Sequence, residues 1–115
     1  MPKAVKRNYK IIWALVNCNS KEEALKIGNA ILKKRLASCF DFFNRALARY
    51  FWPPKSNLIE ESKGCLLCIE TFEKLYNKVA DEIERLHSDK EPFIGFIRIE
   101  GSRKSYFDWM KGEIK

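Results

Sequence analysis

A single histidine, 5 glycines and 4 prolines among 115 residues leave little material for several familiar architectures. With 46% hydrophobic residues beside so little Gly and Pro, collagen-like and low-complexity chains are excluded. The longest uninterrupted apolar run, residues 11–16, is far short of the ~20 residues that cross a bilayer. Cys65-x-x-Cys68 has no second Cys-x-x-Cys and no His pair to complete a zinc knuckle. One His and scattered carboxylates do not assemble a nucleophile–base–acid set, so no catalytic residues and no enzymatic activity are expected. A glycine-rich phosphate loop is missing as well. No apolar stretch with a small-residue cleavage site follows the basic N-terminus, so a cytoplasmic protein with reduced thiols is expected.

What is present fits one domain. The first ten residues carry Lys3, Lys6, Arg7 and Lys10 without an acid, which reads as a solvated basic tail over residues 1–9 ahead of a single domain at 10–115. The formal charge of +7 falls to +3 without those four positions. Charge of that size permits nucleic acid or an acidic partner as an alternative, through the tail and Lys33, Lys34 and Arg35. The same triplet also suits the negative end of a helix dipole.

Along the chain, residues 9–17 read as a short apolar strand covered on both faces. Ser20 followed by Glu23 has capping-box spacing, and Ala24, Ile27 and Ile31 form the apolar stripe of the helix it opens. Residues 38–52, rich in Phe and Tyr, predict one long strand bent or bulged near Asn44, closed by the loop at residues 53–57. Residues 64–71 predict a second doubly apolar strand, in which Cys65 and Cys68, three positions apart, point to opposite faces. Phe72, Leu75, Tyr76, Val79, Ile83 and Leu86 keep a helical period and predict a helix over 72–87. A fourth strand over 93–100 and a helix over 102–115 follow. This β-α-β-β-α-β-α order is α+β. With right-handed crossovers it becomes a ferredoxin-like βαββαβ sandwich with a C-terminal helix, its four-stranded antiparallel sheet having strands one and three at the centre.

Other proteins of this topology fit poorly. An RNA-recognition motif wants aromatic rings where Cys65, Leu67 and Glu70 stand, and an acylphosphatase wants an arginine cradle where residues 8–34 hold no Arg. The chain instead resembles the CutA divalent-cation tolerance proteins over about residues 11–110. The resemblance is carried by Leu36-Ala37-Ser38-Cys39, Tyr50-Phe51-Trp52, Thr71, His87 with Pro92 five residues on, and Gly101 before Tyr106-x-x-Trp109. It implies a homotrimer with clefts between subunits, no catalytic role, and divalent cations, chiefly copper, as bound ions with none obligatory. The cleft residues it implies are Cys39, Tyr50, Trp52, Thr71, His87, Tyr106 and Trp109, and its candidate metal ligands are His87, Cys18 and Cys39. The cysteine some members carry at the end of strand one falls at Val16, with Cys18 two positions on and on the same face. The family's acid near the start of strand three is Gly64 here, and its Lys before Thr71 is Glu70.

The paired rings of Tyr50 and Trp52 are more aromatic surface than a monomer of this size ordinarily leaves in water, which independently favours an interface. The expected function is a trimer that binds a metal ion or small ligand in clefts between subunits. A purely structural or regulatory trimer is a further alternative.

Overall fold

The structure, a computed structural model, describes residues 9–115. The tail expected at residues 1–9 therefore lies outside the described residues apart from Tyr9, which packs edge-on against Phe72 with ring centroids 5.5 Å apart. The elements are β1 (Ile11–Cys18), α1 (Lys21–Lys33), β2 (Cys39–Phe51), β3 (Ile59–Phe72), a 3₁₀ turn (Glu73–Leu75), α2 (Tyr76–Leu86), β4 (Ile94–Arg98) and α3 (Lys104–Glu113). The strands form one antiparallel sheet in the order β2-β3-β1-β4, so β1 and β3 are the two inner strands.

On the face of the sheet under α1 and α2, Ala14, Val16 and Cys18 of β1 and Cys65, Leu67 and Ile69 of β3 meet Ala24, Ile27, Ile31, Val79 and Ile83. Each of the larger apolar side chains buried there contributes roughly 1.5–3 kcal/mol. Gly28 lets α1 lie close on β2, because a Cβ there would stand 2.7 Å from the Phe40 ring. The Ser20 hydroxyl accepts the Glu23 N–H at 3.1 Å and caps α1 as expected, while the Glu23 carboxylate reaches back to the Asn19 N–H at 2.8 Å.

The opposite face is covered only in part. Strands one and three are central, but the expectation that both are shielded on both faces is corrected: α3 covers Ile11 and Phe72 through the buried Met110, whereas Trp13 remains 39% exposed. Phe72 completes β3 instead of opening a helix, and α2 begins at Tyr76, because the Phe72 ring is used by α3, 5.5 Å from Phe107. β3 also starts earlier than its apolar run suggests. Beyond an irregularity between Arg45 and Ala48, residues 59–62 pair with residues 48–51 in a hairpin that extends the molecule to 56 Å. Phe43, Leu47, Phe51, Trp52, Leu58 and Ile59 are all exposed on or near it.

Candidate functional site

The end of β1, the start of α1 and the segment after α2 converge on one buried cluster. Cys18 and His87 are buried, and a sulfur of Cys18, a carboxylate oxygen of Glu23 and a ring nitrogen of His87 all lie within 4.8 Å of one another. Two loops hold these groups. Glu23 accepts the Asn19 N–H through Oε1 and the Ser88 N–H through Oε2, each at 2.8 Å, and the Asn19 side chain donates to Ser88 Oγ and Asp89 Oδ1. His87 Nδ1 accepts the Asp89 N–H at 2.9 Å, which assigns the ring proton to Nε2, where it is donated to the Asn17 carbonyl at 2.7 Å. Nε2 is 3.6 Å from Glu23 Oε1.

Burial, then the neighbouring Glu23 carboxylate, push the Cys18 thiol up to about 12. Burial also acts to raise Glu23, but hydrogen bonds from Asn19 and Ser88 outweigh it and hold the carboxyl below its ordinary value. Gly64 belongs to the geometry too: a Cβ there would strike the Cys18 carbonyl and come 2.8 Å from Arg45 Nη2. A thiol, a carboxylate and an imidazole at this separation are the donor types of a zinc or copper site.

A second cluster lies toward the other end of β1, on the partly open face. Glu70 is its hub, accepting Trp13 Nε1–H at 2.9 Å, the Tyr106 hydroxyl, and the Cys39 thiol at 3.6 Å. The Trp109 ring lies 5.3 Å from that of Tyr106. Burial and then Glu70 raise the Cys39 thiol to about 11, and the hydrogen bond to Glu70, then burial, hold the Tyr106 hydroxyl well above its ordinary range. Trp13 and Cys18 are five steps apart on one strand, about 17 Å at ~3.3 Å per residue.

The CutA1 divalent ion tolerance protein family matches this sequence over residues 12–113. The chain belongs to that family. The CutA homolog of Danio rerio is 30% identical over 96 residues, 84% of this chain and 62% of the fish protein, so the match spans less than two thirds of that relative. The divalent-cation tolerance protein CutA of Pyrococcus horikoshii is 31% identical over 94 residues, 82% of this chain and 88% of its own. Among solved structures, the Archaeoglobus fulgidus CutA, described as a periplasmic divalent cation tolerance protein, superposes with a TM-score of 0.85 at 27% identity over 91% of this chain and 99% of its own. CutA1 from Oryza sativa has a TM-score of 0.86 at 21% identity over 96% and 98% of the two chains, and agrees in fold.

Within this CutA1-family chain the residues singled out in the sequence fall into four places. Cys18 and His87 come together, joined by Glu23, which the sequence offered only as a capping acid. Cys39, Tyr106 and Trp109 come together around Glu70, with Trp13 as an unforeseen donor; Cys39 is thus remote from His87 within one chain. Thr71 faces the helix layer, fully buried, its hydroxyl donating to the Leu36 carbonyl at 2.6 Å, so it is no part of an open cleft wall. Tyr50 and Trp52 stand on the hairpin, 41% and 52% exposed. As for the basic triplet, Lys34 pairs with the buried Glu82 and Arg35 with Glu113, each at 2.8 Å, so two of its three charges are already engaged. Among the described residues no helix is long and apolar enough to cross a membrane.

Proposed function

We propose that this member of the divalent ion tolerance family is a homotrimeric binding protein that takes a soft or borderline divalent cation, copper or zinc, through Cys18, Glu23 and His87. The observation that carries the reading is the convergence of those three donor atoms within 4.8 Å in one buried cluster. Sulfur and imidazole nitrogen select copper and zinc over calcium or magnesium, which prefer oxygen ligands. A bound cation would supply the positive charge that turns a buried thiol into a thiolate. Because Cys18 holds its proton up to about 12, binding must release it, and affinity rises with pH over the neutral range. Both nitrogens of His87 are engaged by backbone groups, so ligation through the ring requires that its hydrogen bond to Asp89 or to Asn17 be given up when the cation binds. All four cysteines are free, which suits a reducing, cytoplasmic setting.

The trimer is supported by the exposed rings and aliphatic groups of the β2–β3 hairpin, a surface that sister subunits would cover. In that assembly Cys39, Tyr50, Trp52, Tyr106 and Trp109 would face the clefts between subunits. Light scattering at micromolar concentration should give three times 13.5 kDa. A clean monomer would remove the assembly.

Calorimetric titration with zinc, alongside cobalt absorption to report thiolate ligation, tests the cation reading. Wild type and Cys39→Ser should bind alike, with the thiolate-to-cobalt band present, while Cys18→Ser loses that band and weakens binding at least tenfold. Equal binding by wild type and Cys18→Ser would overturn the assignment.

A further inference from the structure

Where Tyr9 meets the turn after β3 and the end of α3, a cavity of about 400 Å³ opens that neither cluster above uses. Its walls carry Lys74, Lys78, Lys111 and Lys115, and its apolar floor includes Tyr9 and Leu75. Two of the ammonium groups are held by the Tyr9 ring, Lys74 Nζ 4.1 Å and Lys111 Nζ 4.7 Å from its centroid. Among the described residues none of the four lysines is ion-paired with a carboxylate. The acids beside them are engaged elsewhere, Glu73 by Arg98 and Glu113 by Arg35, each at 2.8 Å. No acidic residue stands in the first turn of α2, from which Lys78 projects.

Four like charges around one concavity repel one another, and among the described residues no carboxylate is ion-paired with any of them. Charges gathered in a low-dielectric recess focus a positive potential there, which an anion relieves. The cation–π contacts of Lys74 and Lys111 hold two of the charges over the floor ahead of any ligand, lowering the ordering cost of binding. We infer that this cavity is a binding site for a small multivalent oxyanion, one bearing two or more negative charges on phosphate or carboxylate groups. At about 400 Å³ the recess is of a size that accepts a small molecule. The site shares no residue with the proposed cation cluster, so the two stand or fall separately.

The test is calorimetry at low ionic strength with pyrophosphate and, in parallel, citrate, which separates a phosphate source from a carboxylate one. Pyrophosphate, citrate or both should bind once per chain. The double variant Lys74→Gln/Lys111→Gln should bind at least tenfold more weakly. Lys21→Gln/Lys26→Gln, with the same change in net charge on an exposed face of α1, should stay within twofold of wild type. Lys74→Arg/Lys111→Arg should retain binding, which separates lost charge from lost folding. The inference is overturned if neither anion binds, if both Gln pairs weaken binding equally, if chloride competes as well as pyrophosphate at matched ionic strength, or if only an oligonucleotide binds.

Discussion

At one end of β1 the Glu70 carboxylate receives three side-chain donors, Trp13 Nε1, the Tyr106 hydroxyl and the Cys39 thiol. At the other end the Glu23 carboxylate receives two backbone N–H groups and faces a thiol and an imidazole. Both places combine a cysteine with an acid, yet they are suited to different work. Around Glu70 the protein supplies the donors itself, in a half-exposed node that orients rings along a face of the sheet. Around Glu23 the carboxylate is fixed by backbone, and among the described residues the buried Cys18 thiol has no hydrogen-bond acceptor. Cys18 packs into the core beneath the helices, and the anchored carboxylate and oriented imidazole beside it bring three ligand types together, which is the arrangement the proposed cation site rests on.

The contrast can be broken in several ways. His87→Ala should cost most, about 2–4 kcal/mol of unfolding free energy, because it strips partners from the Asn17 carbonyl and the Asp89 N–H and leaves a cavity where the two loops meet. Denaturant unfolding measures it, and a loss below ~0.5 kcal/mol would show that the ring is not the clasp. Glu70→Ala should cost less, about 1–2 kcal/mol, since water can reach the orphaned Trp13 and Tyr106 donors at that half-exposed node. A cost exceeding that of His87→Ala would reverse the comparison.

Thiol trapping with a disulfide reagent at pH 8 sharpens it further. Both thiols are shifted up, Cys39 to about 11 and Cys18 to about 12, so the folded protein holds both protons more tightly than the unfolded chain. Their contribution to stability is therefore intact below the ordinary cysteine value near 9 and is lost as pH rises through 11 and then 12. Cys39, being more accessible, should be trapped about tenfold faster than Cys18, and both more slowly than a free thiol. Equal rates would contradict the burial difference. The smallest effect belongs to Trp13→Phe, about 0.5–1 kcal/mol by denaturant unfolding, for one exposed hydrogen bond to Glu70.

Much of this architecture can be read from residue pattern. The two inner strands are legible because the apolar runs of β1 and of residues 65–69 stand out, although only their helix-side face is fully shielded, and the start of α1 is legible because Ser20 and Glu23 have capping-box spacing. The hairpin half of β3 is not legible: residues 59–63 read Ile-Glu-Glu-Ser-Lys, and their strand form comes from pairing with β2 across the irregularity, which leaves no burial signature in the sequence. Phe72 misleads because its place in the helical period is coincidental and its partners, Tyr9 and Phe107, are remote in sequence.

The sites divide along the same line. Cys18 and His87 stand out as scarce ligand types, but their meeting depends on α2 returning beside β1. Glu23 is hidden by its capping role. Glu70 becomes visible only through register, which sets it between Cys39 on one neighbouring strand and Trp13 on the other.

X-ray absorption at a bound zinc ion tests the account most directly. The central claim predicts one sulfur at about 2.3 Å together with nitrogen or oxygen ligands at ~2.0–2.2 Å. That sulfur should persist in Cys39→Ser and vanish in Cys18→Ser. A first shell without sulfur, or a sulfur lost with Cys39 and kept without Cys18, would contradict it.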